Sequence, residues 1–241
     1  MNRLHTRPKW RALVTIALCA VSIATTARAD TALQDVPYWR SMQGWWLAEN
    51  TYFDGKLDYN ERAYGSLVHI ELDGQRMRET EYKFYPAGKL AQQAGRGQIG
   101  AEDGIETVTV LEGRQVDARG QVRFTSDPAT RIDVLTDDTA VRVTANAATG
   151  VDTYRMYIFT PAPDRRYRSN FGIVSDSQGA GAANALPGAE RGDLRGYSLF
   201  REQRIAATDF ERQRRQLRDR FGVRAIAEAG PDGHLIVRRL D

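Results

Sequence analysis

Cysteine and histidine are scarce in this sequence of 241 residues, which contains one cysteine and three histidines. The single cysteine, Cys19, lies in an apolar segment near the N-terminus. A chain cleaved beyond that segment has no disulfide, no thiol nucleophile and no thiolate metal ligand. Only His69 and His234 then remain, which are too few for the usual His/Cys metal site. We therefore predict no metal site, and we expect the fold to depend on a hydrophobic core.

Several motifs of catalysis and cofactor binding are also missing. The sequence has no Gly-x-Ser-x-Gly nucleophile elbow, and Gly95-Arg96-Gly97 lacks the strand–helix context of a phosphate-binding loop. The alternative interpretation of His69 is a haem ligand or a general base, and His234 has the better position for haem. We favour ordinary strand histidines at both places, and we predict no cofactor, haem included.

The first 29 residues have the features of a secretory signal. Positive charges precede an apolar run, Ala12 to Thr26, that is short for a membrane span. Ala27-Arg28-Ala29 has the small-x-small form of a cleavage site, so we predict cleavage before Asp30. An uncleaved anchor and a lipoprotein acylated at Cys19 are the alternatives. We expect a periplasmic or secreted protein without a membrane span after cleavage.

Removal of this signal changes the net charge. The whole chain has 34 Lys and Arg against 31 Asp and Glu, and the signal holds five of the basic residues and none of the acidic ones. The mature chain therefore has 29 basic and 31 acidic residues, a formal charge of −2. A general attraction to nucleic acid is not expected for such a chain, and we predict no nucleic-acid partner.

The mature sequence consists mostly of short segments with β-type alternation. The first begins at Gly44-Trp45-Trp46, and the clearest alternation follows in residues 75–85, where Met77, Glu79, Glu81 and Lys83 alternate with Arg78, Thr80, Tyr82 and Phe84. The predicted strands are 43–53, 62–72, 75–85, 105–111, 121–125, 131–135, 140–145, 151–160, 165–174 and 193–205. Turn signals every ~8–12 residues without helical patterns predict an antiparallel barrel or sandwich.

One helix and a short strand are predicted at the C-terminus. Thr208 is a plausible N-cap for a helix that ends near Phe221, before Gly222, and a strand follows at about 234–240. We thus divide the chain into a secretory signal (1–29), an antiparallel β-barrel domain (30–205), and a C-terminal helix and short strand packed on the barrel (206–241).

The Gly44-x-Trp46 motif on a first strand, followed by up-and-down strands and a late helix, resembles the lipocalin and wider calycin superfamily. In that superfamily the Trp closes one end of the barrel, and an Arg near the end of the last strand packs across it. Here Arg204, or Arg201, is in the matching place. The resemblance implies an all-β, mainly antiparallel, lipocalin-like up-and-down β-barrel with a C-terminal α-helix, and a β-sandwich is the alternative fold.

Candidate ligand contacts come from aromatic and arginine residues interleaved on the strands. If the barrel is open at one end, Arg168, Asn170 and Tyr197 converge on a polar group of a ligand, while aromatic rings pack against its body. We therefore predict six ligand-binding positions: Tyr82, Phe84, Tyr154, Arg168, Asn170 and Tyr197. Exposed arginines and rim tyrosines are the simpler interpretation of the same residues. No catalytic residue is predicted.

Three hypotheses of function remain open from the sequence. The first is an exported, soluble carrier that binds a small, partly apolar molecule inside the barrel, in a mostly apolar cavity. The second is an isomerase, cyclase or hydrolase that uses carboxylate, Tyr and Arg groups on the same scaffold, for which Glu79 and Glu81 supply two carboxylates on one strand face. The third is a barrel without a cavity that acts as an interaction module in the cell envelope. Fold alone does not choose among them.

Overall fold

The structure is a computed structural model, and it describes only part of the chain. The described residues are 31–54, 59–60, 64–87, 103–146, 151–174, 194–229 and 235–240. The predicted signal peptide, residues 88–102 and His234 lie outside the described residues.

Thirteen strands form one sheet, and nearly all pairs are antiparallel. The strands are β1 (Gly44–Asp54), β2 (Tyr59–Asn60), β3 (Gly65–Asp73), β4 (Arg76–Tyr85), β5 (Gly104–Gln115), β6 (Val122–Phe124), β7 (Thr130–Val134), β8 (Thr139–Asn146), β9 (Val151–Ala162), β10 (Arg165–Val174), β11 (Leu194–Ile205), β12 (Val223–Ala229) and β13 (Leu235–Arg239).

Ten of these strands close into a barrel. Their order around the ring is β5-β4-β3-β1-β11-β10-β9-β8-β7-β6, and β6 pairs again with β5. β1 also pairs with β11, from Trp45 opposite Ile205 to Asp54 opposite Gly196, so the first and last long strands are neighbours. The predicted all-β antiparallel barrel with a C-terminal helix is confirmed, and the alternative β-sandwich is wrong because the sheet is closed.

The N-terminal segment packs against one end of the barrel, which we call the α1 end. A 3-10 turn (Leu33–Asp35) leads into α1 (Pro37–Met42), a short helix that the sequence did not predict. Trp39 is fully buried there, and its indole donates a hydrogen bond of 2.7 Å to the carbonyl of Gly120. Leu33 also donates from its backbone to Gly74, in the turn between β3 and β4. The segment therefore closes this end with apolar side chains.

The second helix, α2 (Phe210–Phe221), packs on the outside of the barrel. Its apolar residues Phe210 and Leu217 join a cluster that includes Leu67 of β3 and Phe84 of β4. The helix begins after a 3-10 turn (Ala207–Asp209), and no side chain caps it. Thr208 lies inside that turn, so its prediction as the N-cap is wrong. Gly222 ends the helix in the left-handed conformation.

β12 extends the sheet beyond the barrel ring. It pairs in parallel with β5, from Val223 opposite Gly104 to Glu228 opposite Val108, while β13 pairs with its other edge. The sequence predicted β13 but not β12, which follows directly after Gly222. Within the described ranges, neither helix has both the length and the hydropathy needed to cross a membrane.

Candidate functional site

Alternation along the strands decides which side chains enter the barrel. In β4 the residues Met77, Glu79 and Glu81 are buried and alternate with the exposed Arg76 and Arg78. The same period of two follows in the other long strands, because successive side chains of a strand point to opposite faces. Inner-face residues near α1 are apolar, and they include Trp46, Val68, Ile70 and Ile158.

Charged side chains replace the apolar ones farther along the barrel. We call the following seven inner-face residues the ion-pair cluster: Glu79, Glu81, Lys83, Arg142, Arg166, Arg168 and Glu202. Arg168 Nη2 lies 3.3 Å from Glu81 Oε1 and 2.6 Å from Glu202 Oε1, which joins β10 to β4 and β11. The interior is thus crossed by ion pairs, and it is not the mostly apolar cavity that the carrier hypothesis expected.

Arg166 faces the α1 end of this cluster. Its guanidinium pairs with Glu202 and lies 4.5 Å above the ring of Trp46. One of its nitrogens also lies 3.7 Å from the sulfur of Met42 in α1. Its side chain is only 1% exposed, because Trp46 and Met42 cover it.

Arg168 faces the other side, which we call the distal half of the interior. Its guanidinium lies 4.3 Å above the ring of Phe200. The Nε of Arg168 is buried and has no hydrogen-bond partner among the residues that the structure describes, although Nη2 of the same guanidinium is paired. A guanidinium carries five N–H donors, so a buried Nε–H without a partner is an unfilled position.

Two further inner-face residues of the distal half are unpaired. In the described part of the chain, the amide of Asn50 has no partner at either Oδ1 or Nδ2, and the hydroxyl of Ser66 has none either. Asn50 is 4% exposed and Ser66 is 1% exposed. We call these atoms, together with Arg168 Nε, the unpaired interior atoms.

The strand register places the unpaired interior atoms in neighbouring rows of the inner face. Arg168 lies opposite Phe200, and Phe200 lies opposite Asn50, so these three occupy one row across β10, β11 and β1. Ser66 lies opposite Ala48, two residues from Asn50, and also opposite Lys83 of β4. The unpaired atoms therefore lie in one region of the inner face, with the ring of Phe200 between Arg168 and Asn50.

Aromatic rings stand next to these polar atoms. Tyr64 packs against Tyr85 with 4.9 Å between ring centroids, and against the edge of Phe200 at 5.9 Å. Burial raises the pKa of Tyr64 and of Tyr85, so both hydroxyls keep their protons and can donate hydrogen bonds. The distal half thus combines aromatic faces with hydrogen-bond donors.

The charges of Glu81 and Lys83 stabilise each other, with Glu81 Oε2 3.2 Å from Lys83 Nζ. Burial alone would raise the pKa of Glu81, but Lys83 and Arg168 outweigh that effect and hold it at about 2. The carboxylate of Glu81 in turn raises the pKa of Lys83. Both groups therefore stay ionised near neutral pH, and Glu81 is a poor proton donor or acceptor.

Two of the predicted ligand-binding residues lie inside the barrel, and three do not. Arg168 is on the inner face, and Asn170 shares it, opposite Ser198 and Met156. Tyr82 and Phe84 lie on the outer face in the cluster under α2, so the prediction that they line the interior is wrong. Tyr197 also falls on the outer face, because it alternates with the buried Ser198 and does not converge with Arg168.

Tyr154 belongs to β9, where its register partners are Gly172 and Thr144. Its side chain lies outside the part of the chain that the structure describes. The predicted ligand contact of Tyr154 therefore stays a prediction.

Gly44, Trp46 and Arg204 meet at the α1 end. The guanidinium of Arg204 lies 4.4 Å above the Trp46 ring, and it also donates to the carbonyls of Gln43, Ser41 and Pro163. Gly44 has a φ of 110°, and a Cβ there would lie 2.9 Å from Arg204 Nη1. A glycine is therefore needed both for the backbone conformation and for the approach of the arginine.

His69 lies on the outer face rather than in the interior. Its ring stacks on Trp45 at 4.1 Å with 6° between the planes, and Nδ1 lies 3.8 Å from Glu71. Burial lowers its pKa, so the ring is mostly neutral at pH 7. Among the described residues, no group of three or more His, Cys, Asp or Glu side chains is arranged to hold a metal ion.

A groove of about 390 Å³ lies on the outer face of β1, β10 and β11. Two cross-strand rows form its floor, and they consist of Tyr167, Arg201 and Glu49, and of Arg165, Gln203 and Leu47. These side chains belong to the face opposite Arg168 and Phe200. The groove is therefore separate from the interior surface.

The sequence missed Asn50, Ser66, Lys83 and Glu202 as candidate interior residues. Alternation already put Ser66 on one face with Val68 and Ile70, and it put Lys83 on one face with Glu79 and Glu81. A polar residue that interrupts an apolar inner face was the available signal. The sequence did not show which face was the inner one, because both faces of these strands carry aromatic or apolar residues.

No protein-family model matches the chain, and no curated protein matches it. Among solved structures, the chain is similar to the S-type phycobiliprotein lyase CPES from Guillardia theta, with 13% identity, 73% of this chain and 94% of that chain covered, and a TM-score of 0.44. It is also similar to a DUF3598-family protein of unknown function from Nostoc punctiforme PCC 73102, with 13% identity, 69% of this chain and 48% of that chain covered, and a TM-score of 0.43.

A third similar structure is EF1p2_mFAP2b bound to DFHBI, with 10% identity, 70% of this chain and 98% of that chain covered, and a TM-score of 0.35. At these identities and TM-scores the alignments identify no family and carry no functional argument. What the chain binds is therefore inferred from its own contacts alone.

Proposed function

We propose that the protein binds a small, partly apolar molecule reversibly in the distal half of its barrel. The observation that carries this proposal is the group of unpaired interior atoms from Asn50, Ser66 and Arg168, with the rings of Phe200 and Tyr64 among them. A ligand with a polar group and an apolar body fits both the polar atoms and the rings.

The free-energy cost of burying these unpaired atoms supports the proposal of a bound ligand. Leaving a buried polar group without a partner costs about 1–3 kcal/mol, and native proteins rarely leave several together. Asn50 contributes a donor and an acceptor, Ser66 a hydroxyl, and Arg168 a charged donor. A bound polar group, or ordered water that a ligand displaces, supplies the missing partners.

The ion pairs favour binding over acid–base catalysis. Glu79 pairs with Arg142 at 3.0 Å, and Glu81 pairs with both Lys83 and Arg168. A general acid or base needs a pKa near the working pH, whereas the pKa of Glu81 is held at about 2. These carboxylates therefore position cations, and they do not form a pair that shares a proton.

Export is part of the same proposal. The positive charges near the N-terminus, the apolar run after them and the Ala27-Arg28-Ala29 site support cleavage before Asp30 and a periplasmic or secreted protein. N-terminal sequencing of the protein isolated from its own cells tests this part, and an intact Met1 or a start inside the barrel would contradict it.

Asn50→Leu tests the proposed site, because the two side chains have similar volumes. In the ligand-free protein the substitution removes an unpaired amide, so we expect the free energy of unfolding to rise by about 1–2 kcal/mol. Binding of the co-purified ligand, detected by native mass spectrometry of gently isolated protein, should weaken by about tenfold.

Thr160→Val is the matched control. Thr160 is a buried inner-face residue on the α1 side of the ion-pair cluster, where its hydroxyl lies 3.6 Å from the sulfur of Met42. Its replacement should leave ligand binding unchanged. A ligand that binds Asn50→Leu as tightly as the parent protein, or a loss of stability in that variant, would contradict the proposed site.

A further inference from the structure

The ion-pair cluster contains more cations than carboxylates. In the part of the chain that the structure describes, the cluster has four cations, from Lys83, Arg142, Arg166 and Arg168, and three carboxylates, from Glu79, Glu81 and Glu202. With all seven groups ionised, the cluster has an excess of one positive charge. An excess of positive charge attracts an anion, so it favours an anionic group beside the cluster.

The excess is not spread evenly, because five of the groups form a series in which cations and carboxylates alternate. The order is Arg166, Glu202, Arg168, Glu81 and Lys83, so that a cation stands at each end. The remaining two groups, Glu79 and Arg142, pair with each other at 3.0 Å. Among the described residues, the cations at the two ends of this series, Arg166 and Lys83, each contact one carboxylate, whereas Arg168 contacts two.

One end of this series of ion pairs is enclosed, and the other is accessible. Arg166 is covered by Trp46 and Met42 at the α1 end. Lys83 has 26% of its side chain exposed, and it lies opposite Ser66 in the distal half. An ammonium group has three N–H donors, and the contact with Glu81 leaves donors of Lys83 for another acceptor.

We propose that the ligand carries a single anionic group, a carboxylate or a comparable monoanion, which Lys83 and Arg168 Nε bind together. This inference rests on the proposed function, and it specifies the chemical class of the ligand at the same site. Ser66 and the Nδ2 of Asn50 complete the set of donors, while Tyr64, Tyr85 and Phe200 contact the apolar body. The anionic group makes charge-assisted hydrogen bonds, which are about twice as strong as neutral ones.

Three pairs of probes test this inference: benzoate, 2-naphthoate and dodecanoate, each compared with its primary amide. Dissociation constants are measured by calorimetry at pH 7.5 and low ionic strength. The best acid should bind roughly tenfold or more tightly than its amide, because only the acid neutralises the excess charge. Sodium acetate distinguishes an organic anion from a small free ion, and it should bind far more weakly than that acid.

Two variants should change the affinity for the acid in opposite directions. Lys83→Met removes the excess charge, so the acid should lose about tenfold in affinity, and Lys83→Arg should restore most of it. Glu81→Gln removes one negative charge and so raises the excess positive charge of the cluster from one to two. The acid should therefore bind more tightly if the variant folds. The affinity for the amide should change less than about twofold in all three variants, which shows that the site remains folded.

Each outcome distinguishes this inference from the proposed function. Amides that bind as tightly as the acids, with a dependence on Asn50, would overturn the anionic group and keep the interior site. Acetate that binds as tightly as the larger acids would overturn an organic anion with an apolar body. If none of the acids and amides binds and the isolated protein carries no ligand, the proposed function itself is wrong.

Discussion

Trp46 connects the two arginines at the α1 end of the barrel. Its ring is fully buried, with the guanidinium of Arg166 4.5 Å from the ring and that of Arg204 4.4 Å from it. The indole N–H also donates to the carbonyl of Met42 at 2.9 Å. One aromatic residue thus supports apolar packing, two cation–π contacts and a hydrogen bond to α1.

Replacing Trp46 by Ala should lower the free energy of unfolding by about 3–5 kcal/mol, because a fully buried aromatic ring is removed. Trp46→Phe keeps part of the packing and should cost less. Urea unfolding of both variants, followed by circular dichroism, measures the difference. A midpoint for Trp46→Ala equal to that of the parent protein would show that the ring does not contribute to the core.

Glu81 should make the protein sensitive to acid. Its pKa is about 2 in the folded protein, against 4.5 for a free glutamate, so the folded state favours the charged form. Its contribution to stability is therefore complete above pH 4.5 and is lost as the pH falls toward 2. Melting temperatures measured between pH 7 and pH 2 should fall less steeply in Glu81→Gln, and parallel curves would contradict this role.

At the scale of elements, Glu106 attaches α2 to the barrel. The carboxylate is fully buried on the outer face of β5, where Arg214 Nη2 lies 2.7 Å from Oε1 and Arg218 Nε lies 2.6 Å from Oε2. Arg214 and Arg218 of α2 thus form ion pairs with the barrel and help the helix to pack on it.

Glu106→Gln should lower the free energy of unfolding by about 3 kcal/mol, since it leaves two partly buried arginines without their counter-charge. The matched control is Glu49→Gln, which breaks an exposed pair with Arg220 at 3.1 Å and should cost less than about 1 kcal/mol. Chemical unfolding of both variants gives the comparison. Equal effects would show that Glu106 does not hold the helix.

The positions of most strands could be predicted from the sequence, because alternation and turn residues are local. The predicted strand at 165–174 is β10, and the predicted strand at 193–205 is β11 with one residue fewer. β12 was missed because Val223–Ala229 follows the helix directly after Gly222, with no loop to separate the two elements. Its partner β5 precedes it by more than a hundred residues, so no local pattern marks the pair.

At the scale of the whole molecule, the barrel closes through pairs between distant parts of the chain. β1 lies between β3 and β11, and β11 also supplies Glu202 to the ion-pair cluster. β12 and β13 lie outside the ring of ten strands. The ring should therefore form without β12 and β13, but not without β11.

Truncation tests this division of the sheet. A chain that ends at Gly222 should keep the β-sheet circular dichroism and a cooperative unfolding transition, with lower stability because Ile105 loses its contacts with Ala225 and Ala227. A chain that ends before Leu194 lacks β11 and should not unfold cooperatively. Loss of cooperativity in the first chain would show that the ring depends on the extension.

The candidate site was only partly predictable. Arg168 and Asn170 were identified from arginines and polar residues on a late strand, but Tyr82, Phe84 and Tyr197 were assigned to the wrong face. For Tyr82 and Phe84 the error has a physical cause: α2 covers β4, so the outer face of this strand has apolar residues as well. Alternation then separates two faces without showing which one is inside.

The alternating strands, the turn positions and the helix that ends at Phe221 follow from the sequence alone, because each depends on residues close in the chain. Only the tertiary structure decided which face is inner, how the ring closes and which charges pair. Glu79 meets Arg142 across 63 positions, and Glu81 meets Arg168 across 87. Such pairs depend on strand order and register, which arise when the whole sheet closes and not from any local pattern.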